Sequence, residues 1–231
     1  MTYSLVGRCA RTGMLGAVVT TSSIAVGSRC THVRAGVGAA LTQHRTDPRL
    51  GPMAIELLAR GFSADEAMKA IVAGTPHRHW RQLALIDAHG RTAAYSGENV
   101  RVERNEFQGQ DCVAIANIVR SAELPAAMVR AFETEPDAPL AERLIAALEA
   151  GDAAGGEFQP VTSAALVVAH RETFPYVDLR VDDHKKPIAE LARLWSAYEP
   201  EADAYVVRAI DPENATRPAA MIATEQSRAK T

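Results

Sequence analysis

The feature that most constrains this chain is how its elements are grouped, with strands in hairpins and helices in pairs between them. Tyr3 to Cys9 and Met14 to Thr20 are apolar runs joined by the turn-like Ala10-Arg11-Thr12-Gly13, the pattern of a β-hairpin. A glycine-punctuated stretch from Thr21 to Leu41 reads as more strand with tight bends. In DPRLGPMAIELLARG, Leu50, Met53, Ala54, Leu57 and Leu58 share one face at a 3.6-residue period, and Gly61 closes the helix. Ser63-Ala64-Asp65-Glu66 is a capping box for a second helix, which carries Ala67, Met68, Ile71 and Val72 inward and ends at Gly74.

The alternation then repeats. A hairpin turns at His89-Gly90, DCVAIANIV is a strand, and LPAAMVRAFETE and PLAERLIAALEAG form a second helix pair. SAALVVAH and YVDLRVD are strands, and PIAELARLWSAYEP is the last helix. Leu194, Trp195 and Tyr198 give that helix more apolar bulk than a lone surface helix needs, so they serve either the core or a homo-oligomer contact. Hairpins favour antiparallel pairing, and paired helices do not fit regular βαβ crossovers. The pattern predicts an α+β fold in which two helical layers cover two packed sheets. One domain is expected over residues 1–210, with a C-terminal extension of small and polar residues over 211–231.

Bulk properties narrow the partners. A net charge of −3 with interspersed signs gives no basic stripe for nucleic acid. No window approaches 18 uninterrupted apolar residues, so no membrane span is expected. Cys9, Cys30 and Cys112 are widely spaced in apolar context and read as buried thiols of a cytoplasmic protein. The expected partner is a small-molecule substrate or ligand, with no cofactor.

Several stretches together resemble a known family. MTYSLVGRCARTGMLGAVVT, RAGVGAALTQHRTDPRLGP, RQLALIDAHGRTAAYSG, AGDAAGGE, SAALVV and VDLRVDDH occur in the same order in the bacterial domain-of-unknown-function family 1028. That family resembles the N-terminal-nucleophile (Ntn) hydrolases, which implies a four-layer αββα sandwich of two mainly antiparallel sheets. The resemblance implies a mechanism as well. A Ser, Thr or Cys at the first position attacks an amide carbonyl, and its own α-amine, titrating near pH 7.7–8.0, serves as the base. Removal of Met1 would give Thr2 that amine. Thr2 is therefore either the nucleophile of an amidohydrolase acting on a small metabolite or an ordinary strand residue. The second case leaves a catalytically silent domain that binds a small ligand or a protein.

Further candidates follow from polar residues without a folding role. Thr21 lies in Thr20-Thr21-Ser22-Ser23 at the end of the second strand, where it borders a cleft or simply ends a surface strand. Gln43-His44-Arg45-Thr46-Asp47 joins a strand to a helix, where it places either a base or an anion-binding arginine, Arg45, at the helix N-terminus, or where Asp47, before Pro48, is simply an N-cap. Family members often carry Gly-Asn where this chain has Ala116-Asn117, which makes Asn117 a candidate oxyanion donor. Ser163 is a further candidate lining the cleft. Asp178, Arg180 and Asp182 alternate onto one strand face, as an ion network, a substrate-carboxylate site through Arg180, or a carboxylate-rich metal site with His184. Metal is the weakest reading, since neither an HExxH motif nor paired cysteines support it. His77-Arg78-His79 reads as a solvated loop, and Ala35-Gly36-Val37-Gly38 is too short for a dinucleotide fingerprint.

Overall fold

The computed structural model describes residues 1–101 and 103–215. The chain divides into two compact units, Met1–Trp195 and Ser196–Thr231, the second described to residue 215. The first unit opens with β1 (Thr2–Arg8), β2 (Leu15–Thr21), β3 (Thr31–Arg34) and β4 (Gly38–Gln43), followed by helices α1 (Leu50–Ala59) and α2 (Ala64–Gly74). Four strands come next: β5 (Gln82–Asp87), β6 (Thr92–Ser96), β7 (Arg104–Gly109) and β8 (Cys112–Asn117). Helices α3 (Leu124–Thr134) and α4 (Leu140–Ala153), strands β9 (Ser163–Ala169) and β10 (Val177–Val181), and helix α5 (Pro187–Tyr198) follow. The second unit carries α6 (Ala202–Ile210), in which Tyr205 packs its ring 5.3 Å from that of Tyr198.

Two antiparallel sheets form the middle of the first unit. One has the order β10-β9-β2-β1-β8-β7 and the other β3-β4-β5-β6. Helices α3 and α4 cover the larger sheet, and α1 and α2 cover the smaller one. The layers are thus α, β, β, α, the four-layer sandwich of two antiparallel sheets that the resemblance implies.

Strand periodicity assigns each side chain to a layer. On β1, Val6 points between the sheets, where it packs with Ala17, Val19, Ile115, Leu41 and Ile86. Tyr3 points the other way, toward α4, where its hydroxyl hydrogen-bonds Asp152 at 3.3 Å. A β-carbon on Gly7 would lie 2.6 Å from Phe132 of α3, so only glycine lets that helix close on the strand. Burial on both faces explains why β1 and β2 read as near-continuous apolar runs. Each fully buried Leu or Ile in this interior contributes about 1.5–3 kcal/mol.

Some local expectations shift. The buried stripe of α1 is Leu50, Gly51, Ala54, Ile55 and Leu58, while Met53 is 49% exposed. A β-carbon at Gly51 would stand 1.9 Å from the His32 ring of β3, so the helix rests on its glycine side and turns Met53 outward. The capping box at Ser63 and Glu66 forms in both directions. Asp47 stands two residues before the α1 N-cap, Arg49, and clamps the Arg49 guanidinium at 2.8 Å. Strand β7 and helix α6 are additions, and the compact first unit ends at the buried Trp195. Of the extension expected over 211–231, residues 216–231 lie outside the described residues.

Candidate functional site

Four of the residues singled out in the sequence stand in one row across the larger sheet. Asn117 of β8 is the register partner of Thr2 on β1. The β1–β2 ladder runs to Tyr3↔Thr20, and one step further Thr21 faces Thr2, their Oγ1 atoms 3.4 Å apart. Thr21 in turn pairs with Ser163 on β9. Residues in register point to the same side, and here that side is the inter-sheet face, because Val6, Val19, Ile115 and Ala165 on the same strands belong to the inter-sheet core. All four are buried.

Their hydroxyls and amides are not equally available. Ser163 accepts from the Val26 N–H at 3.1 Å and donates to the Ser23 carbonyl at 2.6 Å, so it pins the segment after β2. Thr2 and Thr21 both donate to the carbonyl oxygen of Met1. Asn117 is held by a buried amide network. Gln82 donates through Nε2 to the Ala116 carbonyl, 3.0 Å, which turns its Oε1 toward Gln43 and Asn117. Both must then donate to that oxygen, and Gln43 is left accepting from Ser4 at 2.8 Å. One backbone carbonyl thereby fixes the Asn117 amide, which gives its nitrogen to Gln82 and keeps Oδ1 without a partner.

A second buried oxygen lacks a partner among the described residues. Glu157, 6% exposed, accepts from the Ser22 N–H at 3.1 Å through Oε2, while Oε1 is unpartnered. Burial pushes its carboxyl above the ordinary range, opposed by the Ser22 contacts and the nearby α-amine of Met1. Burial in turn lowers the Met1 amine, opposed by the charge of Glu157. Glu157 reaches this place through the left-handed Gly155 and Gly156, with φ of 123° and 58°. The AGDAAGGE stretch contained that signal, but spacing alone gives its glutamate no destination.

In front of Thr2 and Thr21 opens a cavity of about 460 Å³. Met1, Cys30 and Thr46 line part of it, and Arg29, His44, Arg45 and Arg101 supply its polar wall. Three wall residues hold left-handed backbone without being glycine: His44 (φ 52°), Arg45 (φ 45°) and Ile118 (φ 54°). Such conformations cost about 1–3 kcal/mol each and gather at binding and catalytic sites. His44 sends Nδ1 to the Trp80 carbonyl at 2.9 Å and accepts the Arg101 N–H at Nε2, 3.4 Å. This fits the neutral Nδ1–H tautomer, and burial, foremost, lowers the imidazole below its ordinary value. Burial raises the Cys30 thiol, which disfavours its use as a thiolate.

The sequence candidates therefore separate. Thr2, Thr21 and Arg45 share the cavity, Asn117 and Ser163 flank its two threonines, and Arg180 lines a different groove of about 740 Å³ beside β3 and β10. Arg180 pairs there with Asp182 at 3.0 Å. Among the described residues no group of three or more His, Cys, Asp or Glu is placed to hold a metal, and no helix is long and apolar enough to cross a membrane. His44, Arg29, Arg101 and Glu157 are site residues without a sequence assignment.

Fold and site together define an αββα sandwich with a buried threonine pair at the mouth of the inter-sheet cleft. The model of the family of unknown function DUF1028 matches residues 2–191, and the chain belongs to that family. A crystal structure of a DUF1028 protein from Silicibacter pomeroyi is similar, with a TM-score of 0.80 at 28% identity over 85% of each chain. Anbu, the ancestral β-subunit from Yersinia bercovieri, superposes with a TM-score of 0.40 at 11% identity over 87% of this chain and 96% of that one. No curated protein matches.

Proposed function

We propose that this protein is an Ntn-type amidohydrolase that cleaves a C–N amide bond of a small molecule, with Thr2 as nucleophile once Met1 is removed. The observation that carries this reading is the convergence of the Thr2 and Thr21 hydroxyls on one carbonyl oxygen, that of Met1, at the cavity mouth. That oxygen stands in for the carbonyl of a substrate amide.

In the processed chain, Thr2 Oγ1 attacks the substrate carbonyl carbon and its α-amine takes the hydroxyl proton. The Thr21 hydroxyl donates to the oxygen as it becomes negative, a role its bond to the Met1 carbonyl prefigures. The C–N bond breaks, the ammonium returns its proton to the leaving amine, and water then hydrolyses the ester on Thr2. The sum is amide plus water giving acid plus amine. Asn117, expected as the oxyanion donor, has its amide nitrogen engaged by Gln82. Its free Oδ1 and the free Oε1 of Glu157 suit acceptance from N–H groups, such as those of the new α-amine. The three free, buried thiols are consistent with a cytoplasmic setting.

One observation favours a second reading. While Met1 is attached, the nitrogen of Thr2 is an amide and cannot act as a base, and in that form the cavity serves binding only. A β-lactone probe separates the two. Acylation of the N-terminal Thr2 peptide in the processed protein supports the hydrolase, and processed protein that stays unlabelled supports the binder.

A further inference from the structure

We propose that the molecule entering this cavity carries a carboxylate, recognised by Arg45 and Arg101 with Arg29 behind them. The proposal takes from the preceding reading only that this cavity is the functional site.

What sets Arg29, Arg45 and Arg101 apart is their gathering in one cavity, since other described arginines, such as Arg120 and Arg143, also stand without an acid but elsewhere. Arg8, Arg34, Arg49, Arg81, Arg91, Arg180, Arg193 and Arg208 each pair with an aspartate or glutamate. Arg29, Arg45 and Arg101 have no such partner among the described residues, and they line the same cavity as Thr2 and Thr21. Among the described residues no acidic side chain lines it. Two acids close in sequence or space are engaged elsewhere: Asp47, two residues from Arg45, holds Arg49 and Arg81, and Glu157 accepts from the Ser22 N–H. A cavity walled by cations without a counter-charge selects an anion, and guanidinium geometry matches a carboxylate.

These cations are also positioned rather than loose. Arg45 sits in left-handed backbone with its guanidinium over the Trp80 ring, 4.7 Å from the centroid. Trp80 stacks against His44 on nearly parallel planes, and His44 accepts the backbone N–H of Arg101. A guanidinium nitrogen of Arg29 bonds the carbonyls of Ile24 and Ala25 at 2.9 and 2.8 Å. The strain at His44 and Arg45 thus has a product, an arginine held on an indole face instead of on an acid. The volume, about 460 Å³, suits a small molecule.

The test uses the full chain with Thr2→Ala, Met1 removal verified by intact mass, so that binding is read without turnover. The probes are N-acetyl-alanine, N-acetyl-aspartate and N-acetyl-glutamate, each beside its carboxamide counterpart, measured by calorimetry. At least one carboxylate is expected to bind ten-fold or more tightly than its carboxamide, with affinity falling as salt rises. Arg45→Ala and Arg101→Ala, both at exposed side chains, are each expected to weaken that binding at least ten-fold with an unchanged circular dichroism spectrum. Equal binding of acid and carboxamide, unchanged affinity in both arginine variants, or no binding by any of the acids overturns the proposal. Failure of wild-type protein to react with the β-lactone would remove the hydrolase reading and leave this result standing.

Discussion

Thr2 and Asn117 face each other across the β1–β8 ladder, one contributing a hydroxyl and the other an unpartnered, fully buried amide oxygen. An orphaned acceptor beside a candidate nucleophile is costly to maintain and calls for a donor. That pairing directs the first experiments.

Thr2→Ala should abolish acylation by a β-lactone, lowering the labelling rate about a thousand-fold or more, as loss of a nucleophile does. Unfolding midpoints within a degree or two of wild type would show the fold intact. Persistent labelling in the variant would move the nucleophile elsewhere.

Thr21→Val keeps the shape of the side chain and deletes the hydroxyl that reaches the Met1 carbonyl. Loss of one oxyanion donor slows acylation by about 10² to 10³-fold. The variant should still show slow labelling at Thr2, which distinguishes it from Thr2→Ala. An unchanged rate would assign Thr21 to structure alone.

Glu157 should impose a pH dependence on stability. Its folded pKa is raised by burial above the ordinary 4.5. Below that value both states are protonated. As pH rises through it, the unfolded chain releases the proton while the folded chain retains it, so stability falls until the folded pKa is passed. Thermal midpoints of wild type and Glu157→Gln should coincide near the acid end and separate as pH rises above 4.5, the variant becoming the more stable. A variant that is less stable throughout this window would contradict the assignment.

Gln82→Leu would strand the amide donors of Gln43 and Asn117 in the interior. Each stranded group costs about 1–3 kcal/mol, so a loss of about 3 kcal/mol or more is expected in urea unfolding. Loss below 1 kcal/mol would mean that water or a rearranged amide restores the bonds.

The layer order was legible because it follows from patterns repeated along the chain, hairpin turns such as His89-Gly90 and helices such as Leu140, Leu144, Ile145 and Leu148, all buried as their spacing requires. Strand β7 was not, because RNEFQG is an edge strand whose residues are largely exposed and carry no apolar run. Thr2, Thr21 and Arg45 were legible as polar residues at strand ends. Glu157 and Arg101 were not, since Arg101 reaches the cavity, and Glu157 the Ser22 N–H, only through long-range packing and, for Glu157, through the left-handed turn of Gly155 and Gly156. The amide orientation of Asn117 depends on Gln82, more than thirty residues away, and no local pattern carries it.

The single sense of the Gln82 network also bears on how the two sheets come together. Ser4 and Asn117 belong to one sheet and Gln43 and Gln82 to the other, so the chain of donors and acceptors closes only at one relative placement of the sheets. The aliphatic side chains around it would tolerate a slip far better, because apolar contact has no direction. A slipped assembly would meet its penalty at the end of the sandwich where Thr2 lies. The network thus proofreads assembly, and a chain that passes is one whose Thr2 already faces its cleft.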